Sequence, residues 1–288
     1  LTLSIPFLFP LINLDSPEIY TYRLTRSLTC FFTAGGLTTA TFALQSLTRN
    51  ALTSEYTLGL SAAASFFASL GFILGLSPFA FSIFGGVLTT LFLFLFLQKR
   101  MSANQIIILG ITLNIFFASG ITFINYLTHF KSSQSLSRWI FGGFSFYSLT
   151  EVTSIIVLAL LVFSLCLIYA PKITLISISD IYEEILGKKF RSQYLFLLIV
   201  IGVFIALSTS LSGPIPFFAL LFANFIRLTF HGHMLYSTLF SFFGGGALLT
   251  TIDQLTRIIR PVEEIPIGIL TGIIGLPFLF FIFFKKEK

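Results

Sequence analysis

Between Ser27 and Phe284 the chain is divided into nine apolar runs, at roughly 27–46, 57–76, 78–97, 105–127, 152–170, 194–211, 215–228, 235–252 and 267–284. A helix needs about 20 mostly apolar residues to cross a bilayer core, and all but the short 215–228 run approach that length. A soluble domain carries about 25% charged residues; this chain carries 10%, with 56% hydrophobic residues and a mean hydropathy of +0.97. So little polar surface cannot cover a globule, and lipid is the expected solvent. The predicted fold is all-α: a polytopic integral membrane helical bundle of about nine to ten spanning helices, forming one domain over residues 1–288. Residues 1–14 are apolar but carry Pro6 and Pro10 and no basic start, so they do not read as a cleavable signal.

Small residues recur inside the runs, at Gly35-Gly36, Ala62 to Ala64, Gly85-Gly86 and Gly244 to Gly246. They let helix backbones approach closely where apolar burial no longer drives association, which predicts a tight bundle. Cys30 and Cys166 lie within apolar runs and read as small core residues. Gln45, Asn114 and Asn125 are lone polar residues in spans, expected either at a functional site or in interhelical hydrogen bonds. No ionisable residue falls near the middle of a span, which disfavours an ion-coupled secondary carrier. Two stretches are unusual. GPIPFFALLFANFIR (213–227) is short and broken at its start by Pro214 and Pro216, as expected of a helix packed inside protein or lining a cavity. The last run gathers Pro266, Gly268, Gly272, Gly275 and Pro277, suiting a moving wall or tight static packing.

Threading the runs alternately places Arg49, Lys99, Arg100, Lys172, Lys188, Lys189, Arg191, Arg227, Lys285, Lys286 and Lys288 on one side. Arg23, Arg26, Lys131, Arg138, Arg257 and Arg260 fall on the other. The richer side is expected to be cytoplasmic, with the C-terminus there. That side includes the longest polar interruption, PKITLISISDIYEEILGKKFRSQ (171–193), which must stand in water. Within it Ile178, Ile181, Ile185 and Leu186 have helical spacing, and Gly187 stands where a helix stop is expected. The outer Arg23, Arg26 and Arg257 read either as interfacial snorkelling residues or as docking points for an acidic partner, with Glu263 and Glu264 placed to neutralise Arg257 or Arg260. The scattered positive charge follows topology and gives no reason to expect nucleic acid.

The sequence holds no phosphate-binding loop: the only Gly-Lys pair, Gly187-Lys188, has Tyr182 five residues before the glycine. His129, His231 and His233 lie outside the spans and read as loop residues, not a metal site. Any ATP is therefore expected on another chain.

Several stretches, taken in order, resemble the FecCD-type permeases, membrane subunits of bacterial ATP-binding-cassette (ABC) importers for iron-siderophores, haem and cobalamin. RLTR (23–26) is similar to the family's RLPR, and GGLTTATFALQSLTRNAL…LG (35–59) to its G-x-x-x-Q…RNPLA…LG region. RWIFGGFS within 131–148 resembles a W-x-x-G-S/G segment, and SDIYEEILG (179–187) the G-E/D-x-A-R-x-L-G coupling loop. GPIPFFALLFANFIR resembles GPIGFVGLIVPHIVR, and Asp253 to Arg257 with the glycine-rich ending resembles D…R…P-x-E-L-P-V-G-x-x-T-x-x-x-G-x-P-x-F. There are departures. Ala51 stands for a Pro, Pro216 for a Gly, Ala223-Asn224 for Pro-His and Glu184 for an Arg. The family's first helix is mostly absent, implying a nine-span variant or a truncated start.

The resemblance implies a type II importer permease in a bacterial cytoplasmic (inner) membrane, moving a ferric siderophore by alternating access; cobalamin or haem cargo, or a degenerate non-transporting subunit, are the alternatives. It implies that Arg23, Arg26 and Arg257 dock an extracytoplasmic substrate-binding protein. It implies that Asp180, Ile181, Glu183, Glu184, Leu186 and Gly187 form a coupling helix for the ATPase, with 171–193 as the coupling loop. Ser102 and Asn104 fall in a cytoplasmic gate, and Asn114 and Thr271 lie on the two helices (105–127 and 267–284) that line the pathway. The expected partners are a second permease copy or paralogue, two ATPase subunits carrying ATP and magnesium, and the binding protein. No cofactor is expected on this chain itself, which is a transporter subunit and not an enzyme.

Overall fold

A computed structural model of the chain describes residues 17–97, 103–127, 142–144, 147–178, 180–230, 233–259 and 266–273, with 275 and 277. Every regular element among them is an α-helix: α1 Pro17–Thr48, α2 Leu60–Ile73, α3 Pro78–Leu97, α4 Ala103–Leu127, α5 Leu149–Ile178, α6 Asp180–Ser212, α7 Phe218–Phe230 and α8 Met234–Ile259. A further helical stretch occupies 267–273.

The centre of the bundle is α1, which packs on α5, α8 and α7. Its sequence is rich in Gly, Ala and Thr, and that composition is what lets neighbours close on it. A Cβ at Gly35 would stand 2.6 Å from the carbonyl oxygen of Phe242 on α8, and one at Gly245 would collide with Thr38. Thr38 Oγ1 then lies 2.6 Å from the Ser241 carbonyl, a hydrogen bond between helices. Phe31 and Phe32 meet Phe242 edge-on, and Phe163 of α5 packs on the same ring. Cys30 and Cys166 are both buried in this core, as their sequence setting predicts. On the far side α3 packs between α2 and α6. A small cavity of about 30 Å³, lined by Leu44, Leu93, Ile106 and Leu198 among others, separates the start of α4 from α1, α3 and α6.

Three helices depart from the sequence reading. α1 begins ten residues before the expected 27, so Arg23 and Arg26 are on the helix itself. α5 continues through Pro171 to Ile178, and α6 begins at Asp180. Most of 171–193 is therefore the ends of two long helices, not a loop. Gly187 does not stop a helix, since α6 runs unbroken from Asp180 to Ser212. Thirteen helical residues precede Gln193 on α6, a projection of about 20 Å at 1.5 Å per residue. The two helices are bridged where they leave the apolar zone, by Lys172 Nζ donating to Gln193 Oε1 at 2.7 Å. The short 213–227 helix is as expected: Pro214 and Pro216 delay its start, and α7 spans only Phe218–Phe230.

Candidate functional site

Two polar constellations interrupt the apolar bundle. The first lies where the start of α1 meets the end of α8. Arg26 Nη2 and Nε donate to the two carboxylate oxygens of Asp253, at 2.8 and 3.2 Å, and its Nη1 donates to the Tyr22 hydroxyl at 2.9 Å. Arg257 Nη2 approaches the same carboxylate at 3.4 Å, one helical turn along α8. Arg26 and Asp253 are almost fully buried, with side-chain exposures of 2% and 0%. This fork-on-carboxylate geometry satisfies both partners together. It also corrects an expectation: Arg26 is locked inside the bundle and has no guanidinium face to offer a partner. Arg257, 16% exposed, pairs with the same acid, and Glu263 and Glu264 lie outside the described residues. Arg23 is half-buried one turn before Arg26.

The second constellation is the connection from α1 to α2, residues 49–59, which folds back into the bundle. Gln45 Nε2 and Asn224 Nδ2 both donate to the Ala51 carbonyl, at 3.0 and 2.8 Å. Arg227 Nη2 donates to Gln45 Oε1 at 3.2 Å and lies over the Phe42 ring. Asn114 Nδ2, about 16 Å along α4 from its start, donates to the Tyr56 carbonyl at 2.7 Å. The connection ends at Gly59 with φ 75°, where a Cβ would press on Leu113, the Asn114 nitrogen and the Gly110 carbonyl within about 3.1 Å. Only glycine fits that left-handed, close approach. Gln45 and Asn114 thus donate to carbonyls of the connection, and Gln45 also accepts across helices from Arg227 of α7. The Q…RN…LG spacing is now physical: its residues shape and hold one inward-folded connection.

Inside this connection sits Glu55, 3% exposed, its Oε2 accepting from Thr41 Oγ1 at 2.6 Å. Glu55 precedes the 57–76 run, where a carboxyl is expected in water. Its burial comes from the fold-back, which has no local signal. Beside it, Tyr56 and Phe217 place their rings 6.4 Å apart on a half-exposed shelf below Asn114. Phe217 has φ 65°, a costly conformation for an aromatic residue that recurs at functional positions.

Asp180, Ile181, Glu183, Glu184, Leu186 and Gly187 lie on the projecting first turns of α6. Asn104 is in the first turn of α4, and Ser102 falls outside the described residues. Thr271 is buried, with its hydroxyl 3.2 Å from the Gly268 carbonyl. Among the described residues no three His, Cys, Asp or Glu side chains gather as a metal site.

The sequence model of the FecCD transport family matches residues 7–285. The Fe(3+)-citrate import permease of Bacillus subtilis (strain 168) is 28% identical over 273 residues, covering 92% of this chain and 80% of that permease. The molybdate import permease of Haemophilus influenzae is 25% identical over 279 residues, with 94% and 82% covered. The vitamin B12 import permease of Yersinia pseudotuberculosis is 25% identical over 276 residues, with 93% and 82% covered. In fold, the chain superposes on a metal-chelate type ABC transporter in an inward-facing conformation with TM-score 0.87 at 23% identity, covering 99% and 96% of the two chains. PsaBC of Streptococcus pneumoniae, in complex with Fab, gives TM-score 0.61 at 20% identity, with 90% of each chain covered.

Proposed function

We infer that the cargo of this chain, an ABC importer permease that belongs to the FecCD transport family, is a ferric siderophore. The observation that carries this reading is the match to the ferric-citrate permease across nearly the whole chain. Citrate, like a siderophore, presents iron as a bulky anionic oxygen-ligand chelate. A wall of hydroxyl, amide and aliphatic groups, with no metal-ligand cluster among the described residues, suits a chelate that must be released after it enters. The Tyr56–Phe217 shelf, Asn114 and the exposed face of α4 form our candidate wall, and Asn104 with Ser102 its inner gate. Thr271 belongs to this pathway proposal only through its helix.

Two ATPase subunits supply the energy in this scheme, bound to the first turns of α6, while a second permease copy or paralogue closes the pathway. An extracytoplasmic binding protein docks on the outer rim, with Arg23 as its main contact and Arg257 as an auxiliary. ATP binding then draws the α6 projections together and switches the cavity between its two openings, a rigid-body rearrangement. The membrane is the bacterial cytoplasmic membrane, with the α5–α6 projection and the C-terminus inside. The test is complementation in a strain lacking its siderophore permease, with the cognate ATPase and binding protein co-expressed. Iron uptake from a ferric siderophore, without cobalamin or haem uptake, is expected; uptake of label from cobalamin alone would reassign the cargo to the corrinoid branch that the 25% relative represents. Arg23→Glu is expected to abolish uptake with membrane insertion intact, and normal uptake would remove the docking role.

A further inference from the structure

The described residues bury two carboxyls in opposite ways. Asp253 is held by two arginines, whereas Glu55 has one hydroxyl, that of Thr41, at 2.6 Å. Among the described residues no cation forms an ion pair with Glu55. Among ionisable groups on the elements around it, Arg49 follows the end of α1 and is exposed, Arg227 of α7 is engaged with Gln45, Tyr56 turns its ring to Phe217, and Tyr194 of α6 lines the cavity. α2 carries no ionisable residue, and α4 only Tyr126 near its far end. A buried carboxylate without a counter-charge is costly, whereas a protonated carboxyl bonded to a hydroxyl is not. Glu55 also lies within the connection that Gln45, Asn224 and Asn114 hold from α1, α7 and α4.

We propose that Glu55 is a proton-binding site that seats the 49–59 connection: with the proton on, the connection stays docked among α1, α4 and α7; with the proton released to solvent, it lifts and α4 loses its Asn114 tether. This role holds whatever the cargo. Burial pushes the carboxyl up from its ordinary 4.5 to about 7, opposed by the Thr41 hydroxyl and the residue's own backbone N–H. For an acid raised on docking, the docked state is favoured at low pH. It loses ground as pH rises through the window from 4.5 to about 7 and is flat above it.

The test is backbone hydrogen exchange on the full chain in nanodiscs from pH 5 to 8, corrected for the intrinsic pH dependence of exchange. It is read at the hydrogen-bonded amides of Thr53, Leu58, Gly59 and Leu60. Protection is expected to fall about tenfold between pH 6 and 8. Glu55→Gln, which keeps a neutral side chain of the same shape, is expected to hold the low-pH protection throughout. Thr41→Val removes the donor to the ionised form, so the midpoint should move to higher pH. This second variant decides the matter if Glu55→Gln does not fold. Flat protection in the wild type, unchanged pH dependence in Glu55→Gln, or a midpoint that stays put or falls in Thr41→Val would each overturn the proposal.

Discussion

α1 and α4 are both long enough to span a membrane, yet they occupy opposite environments. In its most apolar 18-residue window α1 is 89% buried, and α4 only 17%. The buried helix is the one rich in Thr, Gly and Ala, and the exposed one carries Ile, Phe and Leu. In water the order would be reversed. Inside a membrane bundle burial of large aliphatic side chains gives little, so small and hydroxyl-bearing residues, which allow close backbones and hydrogen bonds, take the interior, and the large side chains of α4 are left on the face proposed above as the pathway wall. α1 is consequently fixed by steric fit and an ion pair. α4 packs along α2, and one polar tether of it is Asn114, at the 49–59 connection.

The largest expected effect is at the buried ion pair. Arg26→Met alone leaves Asp253 facing only Arg257, and should destabilise the detergent-solubilised chain by roughly 3–5 kcal/mol. Arg26→Met with Asp253→Leu should recover at least half of that loss, because it removes both buried charges. A double variant as unstable as the single one would mean that the pair is not what locks α1 to α8. Next comes steric fit. Gly35→Leu drives a side chain into the Phe242 backbone and should cost about 1–3 kcal/mol or more by thermal unfolding. Ile115→Ala on α4, 62% exposed, should change stability by under about 0.5 kcal/mol. Equal effects at the two sites would erase the contrast between the helices. Between them, Asn114→Ala should cost about 1 kcal/mol, with exchange rising at 56–59 and not at α1.

Much of this was legible in the sequence, because charge-free runs are counted easily. The 78–97 run coincides with α3, and 105–127 lies within α4. The outer end of α1 was not, because Arg23 and Arg26 look like a boundary. Arg26 belongs inside only because Asp253, 227 residues away, meets it, and no local pattern encodes that pairing. The helical spacing of Ile178 to Leu186 was legible, but its continuity with α6 was not: Gly187 reads as a stop, although it costs a long helix only about 1 kcal/mol. Glu55 was illegible because its burial depends on the connection folding back. Gly59 and Gln45 were visible as motif residues, but their purpose required the neighbouring helices.

In the scheme proposed above, α1 with α5 and α8 is a fixed frame against which the α4 wall moves when partner ATPases act on α6. The most direct measurement is spin-label distance in the reconstituted importer, with and without trapped ATP. One label pair joins Ile115 of α4 to Val157 of α5, and a reference pair joins Val157 to Tyr236 of α8, all exposed sites. A shift in the α4 pair with an unchanged reference pair is predicted; a reference pair that moves as far as the α4 pair, or an α4 pair that stays still, would contradict the account.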